Sequence, residues 1–326
     1  VFQTSVDSEV IANLIARQID QGLEQAIKNT ISRLKGAYAL LLMTGDALIA
    51  VRDPYGMRPL ALGKIDNSYV FASESCAFDT VGAEFIRDVK PGEIIIVTND
   101  GFESIQTPVP LKSALCIFEF VYFARTDSVI DGVSVYAARK EAGKILALEQ
   151  PVEADLVIGV PDSGTTAALG YAEGSGIPFG EGLIKNRCVG RTFIRPSQSV
   201  REQGVRIKLN ALKKVVRGKR IVMIDDSIVR GTTSKKIVEM LRLAGAREVH
   251  MRISSPPVRF PCYFGIDTPS KEQLIGASYS VDEICRIIGT DSLEYLSMEG
   301  LLKTVEGSGC DFCLGCFSGQ YPVEIE

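Results

Sequence analysis

The amino-acid sequence predicts an α/β protein, in which a parallel sheet with flanking helices follows a smaller region of helices and short strands. From residue 154 onward, apolar runs of strand length alternate with helical patterns, as in parallel strands joined by crossover helices. Earlier in the chain the strands are separated by Gly, Pro and Asp. We therefore expect two domains, residues 1–108 and 109–326, with the run TPVPLKS at 107–113 as the linker.

The first region is predicted to begin with a helix and to continue as strands. Asp7 or Ser8 can cap that helix, because the apolar residues from Val10 to Ile15 then share one helical face. Cys76 falls in a segment that has the composition of a strand. Apolar runs between turn residues predict strands at 38–43, 47–51, 69–73 and 92–97.

The second region follows a repeated strand–helix order. Its strands are strongly apolar, which is typical of strands that are covered on both faces. The predicted elements are a strand at 154–160, a helix at 167–173, a strand at 220–224, a helix at 234–244 and a strand at 248–253.

Composition excludes several classes of protein. The chain has 326 residues and a net charge of −4, so a general nucleic-acid binder, which would be basic, is disfavoured. No apolar stretch reaches membrane-spanning length and no signal peptide is visible, so we expect a cytoplasmic protein. Eight cysteines in such a chain favour metal or redox roles over a disulfide framework.

The segment IVMIDDSIVRGTTS, residues 221–234, carries the strongest functional signal. Asp225 and Asp226 end a predicted buried strand, and open parallel sheets bind ligands at that edge. The glycine and hydroxyl residues that follow lie just before a helix N-terminus, which suits a phosphate. Carboxylates can accept hydrogen bonds from sugar hydroxyls or help to hold Mg²⁺. Together these features predict a site for a phosphorylated ribose.

Two further segments fit such a site. VIGVPDSGTTAALG, residues 157–170, is a second strand–loop–helix unit; Thr165 stands where a Walker A loop needs its Lys, so a nucleoside triphosphatase is disfavoured. Residues 186–210 carry five Arg and one Lys against the single acid Glu202. Such a segment is either a solvated basic loop or a lid that closes over a polyanion.

The cysteines predict a metal site of their own. Cys310, Cys313 and Cys316 form C-x-x-C-x-x-C, a spacing that lets several thiolates converge from one tight loop. Spacing alone selects these three cysteines plus one distant partner for a [4Fe–4S] cluster, with structural zinc as the alternative. His250, the single histidine, lies in a predicted strand and is interpreted as a structural residue and not a ligand.

These motifs resemble those of one family. IVMIDDSIVRGTTS is similar to the phosphoribosyl-pyrophosphate (PRPP) motif of type I phosphoribosyltransferases. The whole chain resembles the glutamine PRPP amidotransferases, through VPDSG, KNRCVGRTFI, VRIKLN and GCDFCLGCFSGQYP in the second region and TSVDSE, RDPYGMRPL and FASESCAFD in the first. The resemblance implies a glutaminase domain of the Ntn-hydrolase class before a phosphoribosyltransferase domain. In that family, ammonia from glutamine passes through an internal channel and displaces pyrophosphate from PRPP, giving 5-phosphoribosylamine for purine synthesis.

The resemblance also implies roles for individual residues. Asp7 matches the residue that holds the glutamine amino group, and Lys185 matches a position that meets phosphates of substrate or inhibitory nucleotide. Arg191 and Thr192 match the closing lid. Mg²⁺ with PRPP would lie at Ser163, Asp225 and Asp226, and the 5-phosphate would lie at Ser227, Arg230, Gly231, Thr232 and Thr233.

For the cysteines, the resemblance differs from the spacing argument. The cluster-bearing branch of the family implies a [4Fe–4S] cluster held by Cys116, Cys262, Cys313 and Cys316, which leaves Cys76, Cys188, Cys285 and Cys310 as ordinary thiols.

The family nucleophile is a cysteine at the mature N-terminus, and the first cysteine here is Cys76. We therefore expect a chain without its catalytic nucleophile, truncated at the N-terminus and at the C-terminus. Expected partners are PRPP, glutamine or ammonia, purine nucleotides as feedback inhibitors and further copies of the chain, with neither nucleic acid nor membrane. A nucleobase phosphoribosyltransferase, a regulator with the same fold and a purely structural iron–sulfur protein are the alternative functions.

Overall fold

A computed structural model of the chain describes residues 3–4, 6–108, 110, 112–186, 209–268 and 270–325. Two antiparallel sheets lie before residue 107, and the parallel sheet that the sequence predicts lies after residue 155. We refer to residues 1–108 as the first region and to residues 109–326 as the second region. Across the described part of the chain, no helix combines the length and the apolar character needed to cross a membrane.

The first region packs two helices against a four-stranded antiparallel sheet of order β1-β2-β6-β7 and places a second sheet, β4-β3-β5, beside it. Buried aliphatic side chains such as Ile27, Ile49 and Ile94 form the contact between helices and sheet. The elements are α1 (Asp7–Ala16), α2 (Leu23–Ile31), β1 (Ala39–Met43), β2 (Leu48–Arg52), β3 (Ala61–Ile65), β4 (Ser68–Ala72), α3 (Cys76–Val81), β5 (Glu84–Asp88), β6 (Glu93–Thr98) and β7 (Gly101–Gln106).

Two local predictions for the first region are wrong. Helix α1 has Val6 at its N-cap and no side-chain cap, because Asp7 is already helical and its Oδ1 accepts a hydrogen bond from the Ser8 N–H at 2.8 Å. Cys76 does not lie in a strand but begins helix α3, which ends at Gly82 with a left-handed backbone. A short apolar segment does not distinguish one helical turn from a strand.

The second region is built on the parallel sheet β11-β14-β15-β16. Helices α4 and α5 cover one face, and α7 and α9 cover the other. Its main elements are α4 (Val135–Glu149), β11 (Leu156–Gly159), α5 (Gly164–Ser175), α6 (Lys213–Val216), β14 (Arg220–Asp225), α7 (Thr232–Leu243), β15 (Glu248–Ile253), α8 (Ile275–Ser278), α9 (Val281–Ile288), β16 (Ser292–Tyr295), α10 (Met298–Lys303) and α11 (Gly315–Ser318).

Short elements complete the second region. A π-helical turn, Glu119–Phe123, follows β8 (Leu115–Cys116), and β8 pairs in parallel with β17 (Phe312–Cys313). The remaining pairs are β9 (Val129–Ile130) with β10 (Val133–Ser134) and β12 (Leu183–Lys185) with β13 (Leu209–Ala211); single 3₁₀ turns lie at Ile19–Gln21 and Lys271–Gln273.

His250 supports the sheet, as the sequence predicts. It is buried on β15, with Nδ1 2.9 Å from Ser292 Oγ and Nε2 3.2 Å from Glu248 Oε2. Both ring nitrogens therefore have partners within the fold.

A buried arginine joins the two regions. The Arg52 side chain is 1 % exposed, and its Nη2 lies 2.8 Å from Asp131 Oδ2 in the second region. The same guanidinium donates hydrogen bonds to the carbonyls of Val89, Gly56 and Arg58, at 2.6, 3.0 and 2.8 Å. Five donors of one rigid side chain thus organise the loop after β2 and fix it to the second region.

Replacing Arg52 by Ala is expected to lower the free energy of unfolding by about 3–5 kcal/mol, because Asp131 and three carbonyl groups lose their donor inside the protein. Chemical denaturation measures the change. Arg125→Ala is the control, since Arg125 forms a comparable pair with Asp127 in full exposure to solvent and should leave the unfolding midpoint unchanged. Equal effects of the two substitutions would contradict this role of Arg52.

Candidate functional site

Strand β14 ends with two carboxylates side by side. Asp225 and Asp226 are 8 % and 7 % exposed. The Asp226 N–H donates to Asp225 Oδ1 at 3.0 Å, and Ser227 Oγ donates to Asp226 Oδ1 at 2.6 Å. The Ser163 side chain also lies close enough to lower the pKa of Asp226. The structure thus brings together the three residues for which the sequence predicts a metal.

The groups around Asp225 and Asp226 provide too little positive charge to balance two ionised carboxylates. Burial raises the pKa of Asp225 well above its usual range, and the neighbouring Asp226 raises it further. Burial also raises the pKa of Asp226, although hydrogen bonds from Ser163 and Ser227 and the charge of Arg139 act in the opposite direction. Two adjacent buried carboxylates cannot both ionise at low cost without a cation. The pair is therefore suited to receive a ligand that carries one.

The loop at residues 160–164 lies against the end of β14. The Gly164 N–H donates to Val160 O at 2.9 Å, and a Cβ at Gly164 would lie 2.5 Å from Ile224 O. Only glycine allows this approach, which puts Ser163 within reach of Asp226. Helix α5 begins at Gly164, so the positive end of its dipole lies beside the carboxylate pair, although the N–H groups of Gly164 and Thr165 already donate to Val160 O and Asp162 O.

The loop after Asp226 forms a second helix start. Gly231 has a φ of 75° and precedes α7, and a Cβ there would lie 2.7 Å from Ile275 Cδ1. Thr232 and Thr233 are exposed in the first turn, where N–H groups have no partner within the helix. Arg230 is also exposed. These donors and the positive end of the helix dipole can bind an anion.

The other predicted binding residues lie in different surroundings. Lys185, on β12, forms an ion pair with Asp162 of the loop before α5. Asp7 lies exposed on α1 in the first region and makes its hydrogen bond locally. Arg191 and Thr192 fall outside the described residues.

The sequence analysis missed two residues of this site, Arg139 and Asp162. Arg139, from α4, is buried; it donates to the carbonyls of Phe120 and Ala124, at 2.7 and 2.8 Å, and its charge favours ionised Asp226. One arginine in the helical pattern AARKE has no distinguishing signal. Asp162 lies inside the quoted motif VPDSG, where its charge next to a proposed anion loop could have drawn attention.

Four cysteines lie near one another where β8, β17 and the segment of Cys262 meet. Cys116 and Cys313 are direct neighbours in the β8–β17 pair. The Cys316 carbonyl accepts hydrogen bonds from the N–H groups of Arg259 and Phe260, which bring the segment of Cys262 alongside. Burial raises the pKa of the Cys316 thiol, and the charges of Cys116, Cys313 and Cys262 raise it further.

Cys310 has other neighbours. Burial raises its pKa, the charge of Asp131 raises it further, and the charge of Arg52 acts in the opposite direction. Within the described ranges, no three or more His, Cys, Asp or Glu side chains are arranged closely enough to hold a single metal ion. Thiolates around a cluster lie farther apart than those around one ion, because the iron atoms lie between them.

A surface depression of about 420 Å³ lies away from all these groups. Arg220, which begins β14, contributes to its lining together with residues at the end of α4. It therefore lies at the amino edge of the sheet, opposite the carboxylate pair.

Comparisons with known proteins agree with this geometry. Residues 1–80 match the model of a glutamine amidotransferase domain. The chain is 56% identical to an amidophosphoribosyltransferase of Bacillus subtilis and 55% identical to one of Archaeoglobus fulgidus, in each case over 100% of this chain and over 69% and 72% of the relative. A solved structure of the glutamine PRPP amidotransferase of B. subtilis complexed with ADP and GMP superposes with a TM-score of 0.93, covering 100% of this chain and 72% of that one.

Gly164→Ala should force the loop before α5 away from Ile224. We expect a loss of about 1–3 kcal/mol in the free energy of unfolding, the usual effect of overpacking a filled site. Gly45→Ala is the matched control, because a Cβ at Gly45 meets no atom within 4 Å, and its effect should stay within about 0.5 kcal/mol. Thermal unfolding of both variants measures the difference; a Gly164→Ala protein as stable as Gly45→Ala would disprove the close approach.

Proposed function

This chain belongs to the amidophosphoribosyltransferase family, and from that premise we propose which of its residues perform the reaction. Enzymes of this family are glutamine-dependent pentosyltransferases: nitrogen from glutamine replaces pyrophosphate at C1 of PRPP and gives 5-phosphoribosylamine, in purine synthesis. The fold predicted from sequence, a glutaminase part followed by a phosphoribosyltransferase part, is confirmed by the structural match. We assign residues 1–108 to the first part and 109–326 to the second.

The buried carboxylate pair supports the PRPP site more directly than any other feature. We propose that Asp225 and Asp226 accept hydrogen bonds from the ribose hydroxyls and, with Ser163, hold the Mg²⁺ that accompanies PRPP. The donor set fits the ion, because Mg²⁺ takes oxygen ligands and the pair lacks positive charge. When bound, Mg²⁺ supplies positive charge to the leaving pyrophosphate.

The N-termini of α7 and α5 are proposed to bind the 5-phosphate and the pyrophosphate of PRPP, respectively. The proposed 5-phosphate site uses the free N–H groups and hydroxyls at the start of α7, with Arg230 at its margin. The pyrophosphate site uses the loop before α5, where Asp162 holds Lys185 in position. Arg191 and Thr192 are proposed to close over the substrate. The 5-phosphate residues are Ser227, Arg230, Gly231, Thr232 and Thr233.

Catalysis then depends on placement and electrostatics. Cleavage of the C1–O bond builds positive charge on the ribose and negative charge on the pyrophosphate. The carboxylates of Asp225 and Asp226 lie on the ribose side and favour the first charge, while N–H donors and Lys185 favour the second. No described residue has to transfer a proton for the bond to break. Exclusion of water protects the ribose from hydrolysis.

The first region supplies the nitrogen. Its match to a glutamine amidotransferase domain accounts for residues that a nucleobase phosphoribosyltransferase or a regulator would leave unexplained. We propose that Asp7 holds the amino group of glutamine. For inhibition, we propose purine nucleotides, since the B. subtilis neighbour was solved with ADP and GMP and a nucleotide presents the same ribose phosphate as PRPP. We also propose that the chain assembles with copies of itself, as the resemblance implies.

For the cysteine site we propose a [4Fe–4S] cluster held by Cys116, Cys262, Cys313 and Cys316. The charges of these thiols act on one another, whereas the charges that act on Cys310 are those of Asp131, Arg52 and Asp311. The cluster, when bound, has a structural role, because it joins β8, β17 and two loops that are distant in sequence.

Asp225→Asn combined with Asp226→Asn is expected to reduce pyrophosphate release from PRPP and ammonia at least about a hundredfold. The folded protein should become more stable at neutral pH. Both folded pKa values are raised, so ionisation costs stability as the pH rises through them, and Asn removes that cost. Asp155→Asn, at the amino edge of the sheet, is the control and should keep full turnover. A folded, active double variant would refute the assignment of the pair.

Cys116→Ser or Cys262→Ser should lose bound iron and labile sulfide, whereas Cys310→Ser should keep both. Iron, sulfide and zinc are measured per chain in protein purified without oxygen. Retention of iron by Cys262→Ser together with its loss from Cys310→Ser would favour the ligand set chosen by spacing alone. Zinc in place of iron in the unmodified protein would refute the cluster.

A further inference from the structure

A short segment of the first region lies directly on the cysteine site. The Met57 carbonyl accepts a hydrogen bond from the Cys116 N–H at 3.1 Å. The neighbouring Ala114 N–H donates to Tyr55 O at 2.8 Å. Two backbone bonds therefore attach the loop after β2 to β8, the strand that carries Cys116.

The Arg58 side chain extends this contact to the other wall of the site. Its Nη2 donates to Phe264 O at 2.9 Å, and the Phe264 N–H in turn lies 3.4 Å from Cys262 Sγ. Its Nη1 lies 3.1 Å from Glu119 Oε1, in the π-helical turn that follows Cys116. Arg58 thus bridges the segments of two proposed ligands.

Both charged side chains of this bridge are largely withdrawn from water. The exposed fractions are 19% for Arg58 and 8% for Glu119, so their charges are poorly screened. The positive charge of Arg58 favours the thiolates of Cys116 and Cys313, while the negative charge of Glu119 opposes the thiolate of Cys116. The two residues therefore act on the cysteine site with opposite signs.

We propose that Arg58 is the positioning and charge-balancing residue of the cysteine site, and that through it the state of this site is linked to the fit between the two regions. The inference rests on the proposed cluster. A cluster with four thiolate ligands carries net negative charge, so a half-buried guanidinium beside it offsets part of that charge. The same guanidinium holds the first region against β8 and Phe264, so loss of either partner should weaken the other.

Substitutions of opposite sign test the electrostatic part. Arg58→Gln should lower the reduction midpoint potential of the cluster, because an added electron loses a nearby positive charge. Glu119→Gln should raise it, since a nearby negative charge is removed. The potentials are read by redox titration under argon, from visible absorption and from the electron paramagnetic resonance signal of the reduced protein. A purely structural role of Arg58 would not give opposite signs.

Retention of iron and thermal unfolding test the positioning part. Arg58→Gln should weaken retention of iron against a chelator by about 10–100-fold, the range found when a residue that supports metal ligands is removed. Arg58→Lys keeps the charge but cannot bridge two acceptors, so it should keep the potential while losing iron faster than the unmodified protein. Removal of iron should lower the unfolding midpoint less in Arg58→Gln than in the unmodified protein, because part of the link is already lost.

Arg87→Gln is the matched control. Arg87 pairs with Glu93 inside the first region, at 2.6 Å, and its other contacts lie there too. This variant should leave the potential and the iron retention unchanged. An unmodified protein without iron would refute the proposed cluster itself. Iron-bearing variants of Arg58 and Glu119 whose potentials stay constant or move in the same direction would overturn this inference and leave the cluster standing.

Discussion

Two carboxylates buried next to each other at the end of β14 impose the constraint on which the rest of the site depends. Charged groups in such a position need positive charge or hydrogen bonds within a few ångströms. Asp226 accepts a hydrogen bond from Ser227, and Ser163 and the charge of Arg139 also favour its ionised form, whereas Asp225 accepts one backbone N–H. A cation that arrives with the substrate can balance the remaining negative charge of the pair. The need for Gly164 at the neighbouring loop follows, because any side chain there would push Ser163 out of reach.

Buried arginines connect this edge of the sheet to the first region. The charge of Arg139 favours ionised Asp226, and its guanidinium donates hydrogen bonds to carbonyl groups in and just after the π-helical turn that follows Cys116. Arg58 reaches the same turn from the other side, through Glu119. Arg52, the last residue of β2, pairs with Asp131 of the second region and so holds the loop after β2 against that region. The carboxylate pair, the cysteine site and the junction of the two regions therefore depend on the same three arginines, and each guanidinium donates to more than one acceptor.

Much of the second region could be predicted from sequence, because strands covered on both faces leave apolar runs such as VIGV and IVMI whose ends mark the site. Two elements of mixed composition were not predicted. Strand β7 is largely exposed, and the sequence of α4 mixes small and charged residues with apolar ones. Contacts between residues that are far apart in the sequence could not be predicted either. Nothing local distinguishes Arg139 or Arg58 from a surface cation, and burial of each depends on which segments the fold brings together.

The cysteines show the limit of spacing as an argument. C-x-x-C-x-x-C indicates that thiols can converge, but the structure pairs Cys313 with Cys116 across β8 and β17, and the pKa of Cys310 is affected by Asp131 and Arg52 and not by the other cysteines. Which thiols meet is decided by the pairing of strands almost two hundred residues apart. The ligand set implied by the family resemblance remains a prediction, and the positions of these thiols support it.

Proton release on substrate binding tests the central claim most directly. If Mg²⁺ and PRPP complete the charge balance of Asp225 and Asp226, binding should lower their raised pKa values and release protons at a pH at which free carboxyl groups are already ionised. Calorimetry of Mg–PRPP binding in two buffers of different ionisation enthalpy counts those protons. The account expects release by the unmodified protein in excess of that by Asp225→Asn. Equal proton release by the two proteins, with PRPP bound in both, would contradict it.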